Sequence, residues 1–161
     1  MPFLYRLYPQ HTLSIKQLHL ALQLIVTKHL SLRTSLIFDT ESNRLVQRII
    51  DSKDNKQQLF TFIESTFQTE EQLINIMHDE KRNSQLFNLA QGLVFRCHLV
   101  RHKQFPSNDL LTDKDAIIFN FHHAMFDFPS MNVFLYDLDQ TYTTGQLTID
   151  DTTVPHYFDC M

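Results

Sequence analysis

Two adjacent histidines, His122 and His123, close an apolar run, and Asp127 stands four residues beyond the second, in the stretch FHHAMFDFPS at positions 121–130. A neutral imidazole titrates near physiological pH and can take a proton from an attacking amine or hydroxyl. If the strand stays regular to its end, Ile117, Phe119, Phe121 and His123 share one face, and Ile118, Asn120 and His122 the other. The two histidines are then expected to do different jobs, one facing a cleft and one held inside the fold. Asp127 could pair with an arginine and fix the turn that presents the histidine. The plain alternative is a polar strand terminus whose histidines are structural or solvated. A metal site needs a third ligand; His98, His102 and His156 lack motif spacing, so no metal site is expected.

The elements that must position these residues read as a mixture of strands and helices. Pro2 to Tyr8 alternates as a strand. Ser14 and Gln17 form a capping box for a helix to about His29 or Leu30, with Ile15, Leu18, Leu22, Ile25 and His29 on one face. Arg33–Phe38 and Leu45–Ile50 predict a hairpin around DTESN. Leu59–Ile63 suggests a short strand, with a helical segment as the alternative. Thr69 opens a second capping box and a helix from Glu70 to Arg82. Leu93–Val100 and Ala116–Phe121 are strong strands, separated by a polar loop from Lys103 to Lys114. Ser130 is expected to cap a last helix with Met131, Phe134, Leu135, Leu138 and Tyr142 on one face, Asp137 and Asp139 toward solvent, and Gly145 at its stop. The pattern predicts an α/β or α+β two-layer arrangement.

Composition sets the limits. The 161 residues are 43% hydrophobic and 20% charged, with 14 basic and 18 acidic side chains and a net charge of −4, as in a globular domain with a real core. No basic patch suggests nucleic acid, and no basic amphipathic helix suggests a membrane surface. Cys97 and Cys160 show neither close spacing nor flanking ligands, which fits a reducing, cytoplasmic setting. The stretch Leu18 to Val26 is too short to span a bilayer, and the N-terminus lacks the pattern of a signal peptide.

Several segments together resemble the condensation domain of nonribosomal peptide synthetases, within the chloramphenicol acetyltransferase-like superfamily. FHHAMFDFPS is similar to its His-His-x-x-x-Asp-Gly-x-Ser motif at His122, His123, Asp127 and Ser130. ALQLIVTKHLSLRTSLIF is similar to an early segment at His29, Leu32, Arg33 and Thr34, with Lys28 where arginine is usual. FNLAQGLVFRCHLV matches a Gly-Pro-Leu stretch at Phe87, Leu89, Gly92, Leu93 and Arg96, without its proline. VFLYDLDQTY and PHYFDCM follow the family's course, with Tyr157 and Asp159 in place.

The resemblance implies a mixed sheet with flanking helices, the N-terminal one of two chloramphenicol acetyltransferase-like subdomains, occupying 1–161. It implies His123 as general base or positioning group in amide formation, His122 as a supporting residue and Asp127 as a structural residue, with Arg33 or Arg96 as its partner. Ser130 and Phe128 would flank the site. Substrates would be thioesters on the phosphopantetheine arms of carrier protein domains, with no cofactor bound directly. Phe128 replaces the motif glycine, removing backbone freedom and adding bulk. The second subdomain is not read in the sequence, so it is expected as a missing partner, with an apolar surface near His123 and little activity from the chain alone. Two alternatives remain: a non-catalytic remnant acting as a binding module, and a coenzyme A-dependent His-x-x-x-Asp acyltransferase.

Overall fold

Ser14 opens the first long helix as its residue type predicts: its Oγ accepts from the Gln17 amide at 3.3 Å, satisfying a donor that the helix cannot. The returning half of the capping box is supplied elsewhere, because the Ser14 amide donates to the Tyr142 hydroxyl at 2.7 Å. Thr69 caps the second helix in the same way through the Gln72 amide, while the Gln72 side chain accepts from Gln68 rather than from Thr69.

The computed structural model describes residues 1–51, 58–105 and 109–147. Its elements are β1 (Pro2–Tyr5), β2 (Leu13–Ser14), α1 (Ile15–Lys28), β3 (Thr34–Asp39), β4 (Arg44–Ile49), β5 (Thr61–Phe67), α2 (Glu70–Arg82), β6 (Phe95–His102), β7 (Leu110–Leu111), β8 (Ala116–Phe121) and α3 (Ser130–Thr144). Four strands form a mixed sheet in the order β1-β8-β6-β5. The β5–β6 pair is parallel and is joined by α2, whereas β6–β8 and β8–β1 are antiparallel. The β3–β4 ribbon is the expected hairpin.

On one face of the sheet, Leu18, Leu22 and Ile25 of α1 and Met131 and Phe134 of α3 pack on Phe95, Cys97, Leu99, Ile117, Phe119 and Phe121. On the other, Leu73 of α2 packs with Phe67, Val100, Ala116 and Ile118. This is the mixed α/β class with flanking helices. Phe134 is the hub of the first cluster, with its ring 5.1 to 5.5 Å from those of Phe95, Phe119 and Phe121. Burying such aromatics supplies most of the packing energy available to a small domain.

Several boundaries and faces differ from the sequence reading. The first strand ends at Tyr5, and β5 and β6 lie about two residues later than expected. Inside the polar loop after Lys103, Leu110 and Leu111 form β7 against Leu13 and Ser14; Leu111 is fully buried, which explains why this short apolar pair is drawn inward. Asp137 is buried rather than solvent-facing, held by Lys28 Nζ at 3.1 Å and His29 Nε2 at 2.5 Å. Those two residues end α1, so one carboxylate ties α1 to α3. The acidic pair Asp150-Asp151, His156, Tyr157, Asp159 and Cys160 lie outside the described residues.

Candidate functional site

The strand β8 stops at Phe121, so both histidines lie in the turn beyond it rather than on alternate faces of a strand. The His122 amide donates to the Val94 carbonyl at 2.8 Å, and its carbonyl accepts from the Met125 amide at 3.0 Å. That turn places the two imidazoles one on the other, with centroids 4.6 Å apart and planes at 23°. Alternation of faces fails here because the backbone leaves the extended conformation at this point. The division of labour survives: His122 is half-buried and His123 is exposed.

His122 is fixed from three sides. Its Nδ1 accepts from the Ala124 amide at 3.2 Å, and the Phe87 ring meets it edge-on at 5.5 Å. The third side is the His123 ring. Burial first, then the neighbouring His123 and the chain's N-terminal ammonium, pushes its pKa below the ordinary histidine value. His122 is therefore neutral at pH 7 and carries its proton on Nε2, since Nδ1 is the acceptor. Phe87 and Val94 thus support the site. Phe87 was visible as a motif position, whereas nothing in the sequence marks the carbonyl of Val94.

Asp127 does not meet an arginine. Its Oδ1 accepts from the Ser130 amide at 3.0 Å and from the Ser130 hydroxyl. Those two bonds, side chain first, hold its carboxyl below the usual range. Ser130 is the first residue of α3 and not its cap. The capping is done by Asp127, whose charge also suits a helix N-terminus. Arg33 donates instead to the carbonyls of Thr27 and Ile50, and Arg96 to Glu80 at 3.0 Å. Neither arginine meets Asp127 as expected, because each guanidinium is already engaged, Arg33 by backbone carbonyls and Arg96 by the carboxylate of Glu80 on α2.

Phe128 is 74% exposed, with its ring 6.1 Å from that of Phe3. It is not among the described residues with positive φ, so this turn accepts a side chain without strain. Ala124, Asp127 and Pro129 are exposed around it. Gly92, behind the turn, does need its identity: φ is +71°, and a Cβ there would lie 2.8 Å from Ile50 Cγ1. Among the described residues, no group of three or more His, Cys, Asp or Glu is arranged to hold a metal, and no helix is long and apolar enough to cross a membrane. The arrangement offers one exposed imidazole, backed by a neutral one, on a turn pinned at both ends. It can accept or orient a proton at an open face.

The condensation domain family model matches residues 6–159. A polyketide synthase-nonribosomal peptide synthetase hybrid, himA, from Aspergillus japonicus is 26% identical over 142 residues, which are 88% of this chain and 3% of that protein. Among solved structures, the epimerization domain from the third module of tyrocidine synthetase B has a TM-score of 0.67 at 18% identity, over 90% of this chain and 30% of that one. The condensation domain of the Monacolin K polyketide synthase MokA has a TM-score of 0.64 at 12% identity, over 91% and 29%. The X-domain from teicoplanin biosynthesis has a TM-score of 0.62 at 25% identity, again over 91% and 29%. The chain therefore spans under a third of each solved structure and a small part of the synthetase.

Proposed function

The chain belongs to the condensation domain family, and from that premise we propose that residues 1–161 are the N-terminal half of an amide-forming acyltransferase domain. An acceptor amine held at His123 attacks the carbonyl of an acyl or peptidyl thioester. The C–N bond forms, the C–S bond breaks, and the departing thiol takes the proton that the amine loses. His123 accepts or orients that proton. His122 keeps the ring of its neighbour in place, and Asp127, through Ser130, anchors the turn to α3. The donor and acceptor would be carried on the phosphopantetheine arms of carrier protein domains.

The observation that carries this reading is the exposed His123 stacked at 4.6 Å on a half-buried, neutral His122. Because His123 lies on an open face, both reactants need a second wall to hold them in register. A C-terminal subdomain, on the same chain or another, would supply it. A cytoplasmic setting fits such chemistry.

In the complete two-subdomain protein, His123→Ala is expected to lower amide formation from two carrier-bound substrates by about 10²–10⁴-fold. The 161-residue chain alone is expected to form little product. Unchanged turnover by the alanine variant would remove His123 from the mechanism. Phe128, 74% exposed over the same face, supports a second reading in which the chain binds a carrier or a subdomain without catalysis. In that case the wild-type complete assembly binds carriers but yields no amide.

A further inference from the structure

Under α2, away from the paired histidines, three residues from separate elements stand in a relay. Ser65 of β5 has its Oγ 2.7 Å from His98 Nε2. His98, on the neighbouring β6, has its Nδ1 2.7 Å from Glu80 Oε1, and Glu80 closes α2. We propose that Ser65, His98 and Glu80 form a second acyl-transfer centre, with Ser65 as nucleophile toward short acyl esters and thioesters. The three roles are those of nucleophile, base and orienting carboxylate, recognised by geometry rather than by chain order.

The proton positions follow from the partners. Burial pushes the Glu80 carboxyl up, but the bonds from His98, Asn120 and Arg96 outweigh it and hold it below the ordinary glutamate value. An ionised carboxylate only accepts, so His98 Nδ1 donates to it, and in the neutral imidazole Nε2 then carries the lone pair that faces the Ser65 hydroxyl. Arg96 Nε at 3.0 Å and Asn120 Nδ2 at 2.8 Å already satisfy the carboxylate. The His98 bond helps to keep Glu80 ionised and at the same time fixes the tautomer and the ring. His98 is 6% and Glu80 4% exposed, so both work out of water, where such contacts are stronger.

Access comes from the other end of the relay. Among the described residues β5 is the outer strand of the sheet. Ser65 is half-buried rather than enclosed like His98. An outer strand also turns alternate backbone amides away from its neighbour, where they can donate to a developing oxyanion. In the reaction, Ser65 Oγ bonds to the acyl carbon as its proton passes to His98 Nε2. The C–O or C–S bond then breaks, and the leaving group takes that proton. Water repeats the sequence to release the acid. Glu80 acts through His98 as a positioning residue.

The test is to treat the intact chain with an alkyl fluorophosphonate and locate adducts by peptide mass spectrometry. In the reaction an O–P bond forms as P–F breaks, and fluoride leaves. Ser65 is expected to be modified at least tenfold faster than any other serine. Ser65→Ala should abolish the burst with p-nitrophenyl acetate, and Glu80→Gln should slow labelling severalfold per folded molecule, as counted by circular dichroism. Modification of Ser65 no faster than other serines in the wild-type chain would overturn the proposal, without bearing on His123.

Discussion

The turn that carries His122 and His123 and the network around Glu80 lie on the same pair of strands, β6 and β8, yet they are built on opposite terms. At the turn, the polar side chains are exposed or half-buried, and Asp127 and Ser130 satisfy each other locally. Under α2, Glu80 is buried and bonded to Arg96, His98 and Asn120, all from other elements; Asn120 donates also to the Glu80 carbonyl at 2.7 Å. A buried charge is tolerated only when it is fully partnered. The difference teaches that the paired-histidine turn sits where change is structurally cheap, while the carboxylate that holds α2 to the sheet lies in no segment that the sequence singles out for chemistry.

The largest expected effect breaks the buried side. Glu80→Ala should cost about 3–5 kcal/mol, because it leaves Arg96 and Asn120 without their acceptor; urea denaturation followed by circular dichroism measures it. A loss below about 1 kcal/mol would mean that the network contributes little beyond its own geometry.

Acidity separates the two regions next. Glu80 has a folded pKa below its unfolded value, so its contribution is complete above about pH 4.3 and is lost as pH falls through the folded value. His122 is also lowered. Below about pH 6.5 the unfolded chain takes up a proton that the folded chain resists, so stability falls from there toward the folded value of His122. The urea midpoint should therefore decline in two steps on acidification. His122→Gln should shrink the step that begins nearer neutrality, and Glu80→Gln the more acid one, to which Asp127 also contributes.

On the exposed side, Asp127→Ala should cost about 1 kcal/mol as a lost helix cap, with Asp127→Asn recovering most of it; thermal melts compare the three. A much larger loss would imply partners for Asp127 beyond Ser130. The smallest effect is expected for His123→Ala, within about 0.5 kcal/mol of wild type in the same melts, even though this substitution is expected to remove amide formation.

What was legible in the sequence follows the same division. Local signals were read correctly: the Ser14 and Thr69 caps, α2 from Glu70 to Arg82, the hairpin, and β8 from Ala116 to Phe121 depend on neighbours a few positions away. The paired histidines and Asp127 too were visible as residue types. Long-range partners were not. Asp137 reads as a solvent-side aspartate until α1 brings Lys28 and His29 to it, and Asp127 reads as an arginine partner until the α3 amide proves nearer. Ser65, His98 and Glu80 stand far apart in the chain, and only the parallel β5–β6 pairing with its covering helix brings them together.

The pairing of β1 with β8 sets Phe3 opposite Phe119, joining the first and last strands of the described chain across the sheet. During synthesis β1 emerges early and β8 late, while β5, α2 and β6 form a self-contained unit in between. Closing so long a loop is entropically slow compared with neighbouring contacts. The first strand therefore waits for its partner until β8 is made, and the histidine turn, anchored just beyond β8, takes shape only after β5, α2 and β6.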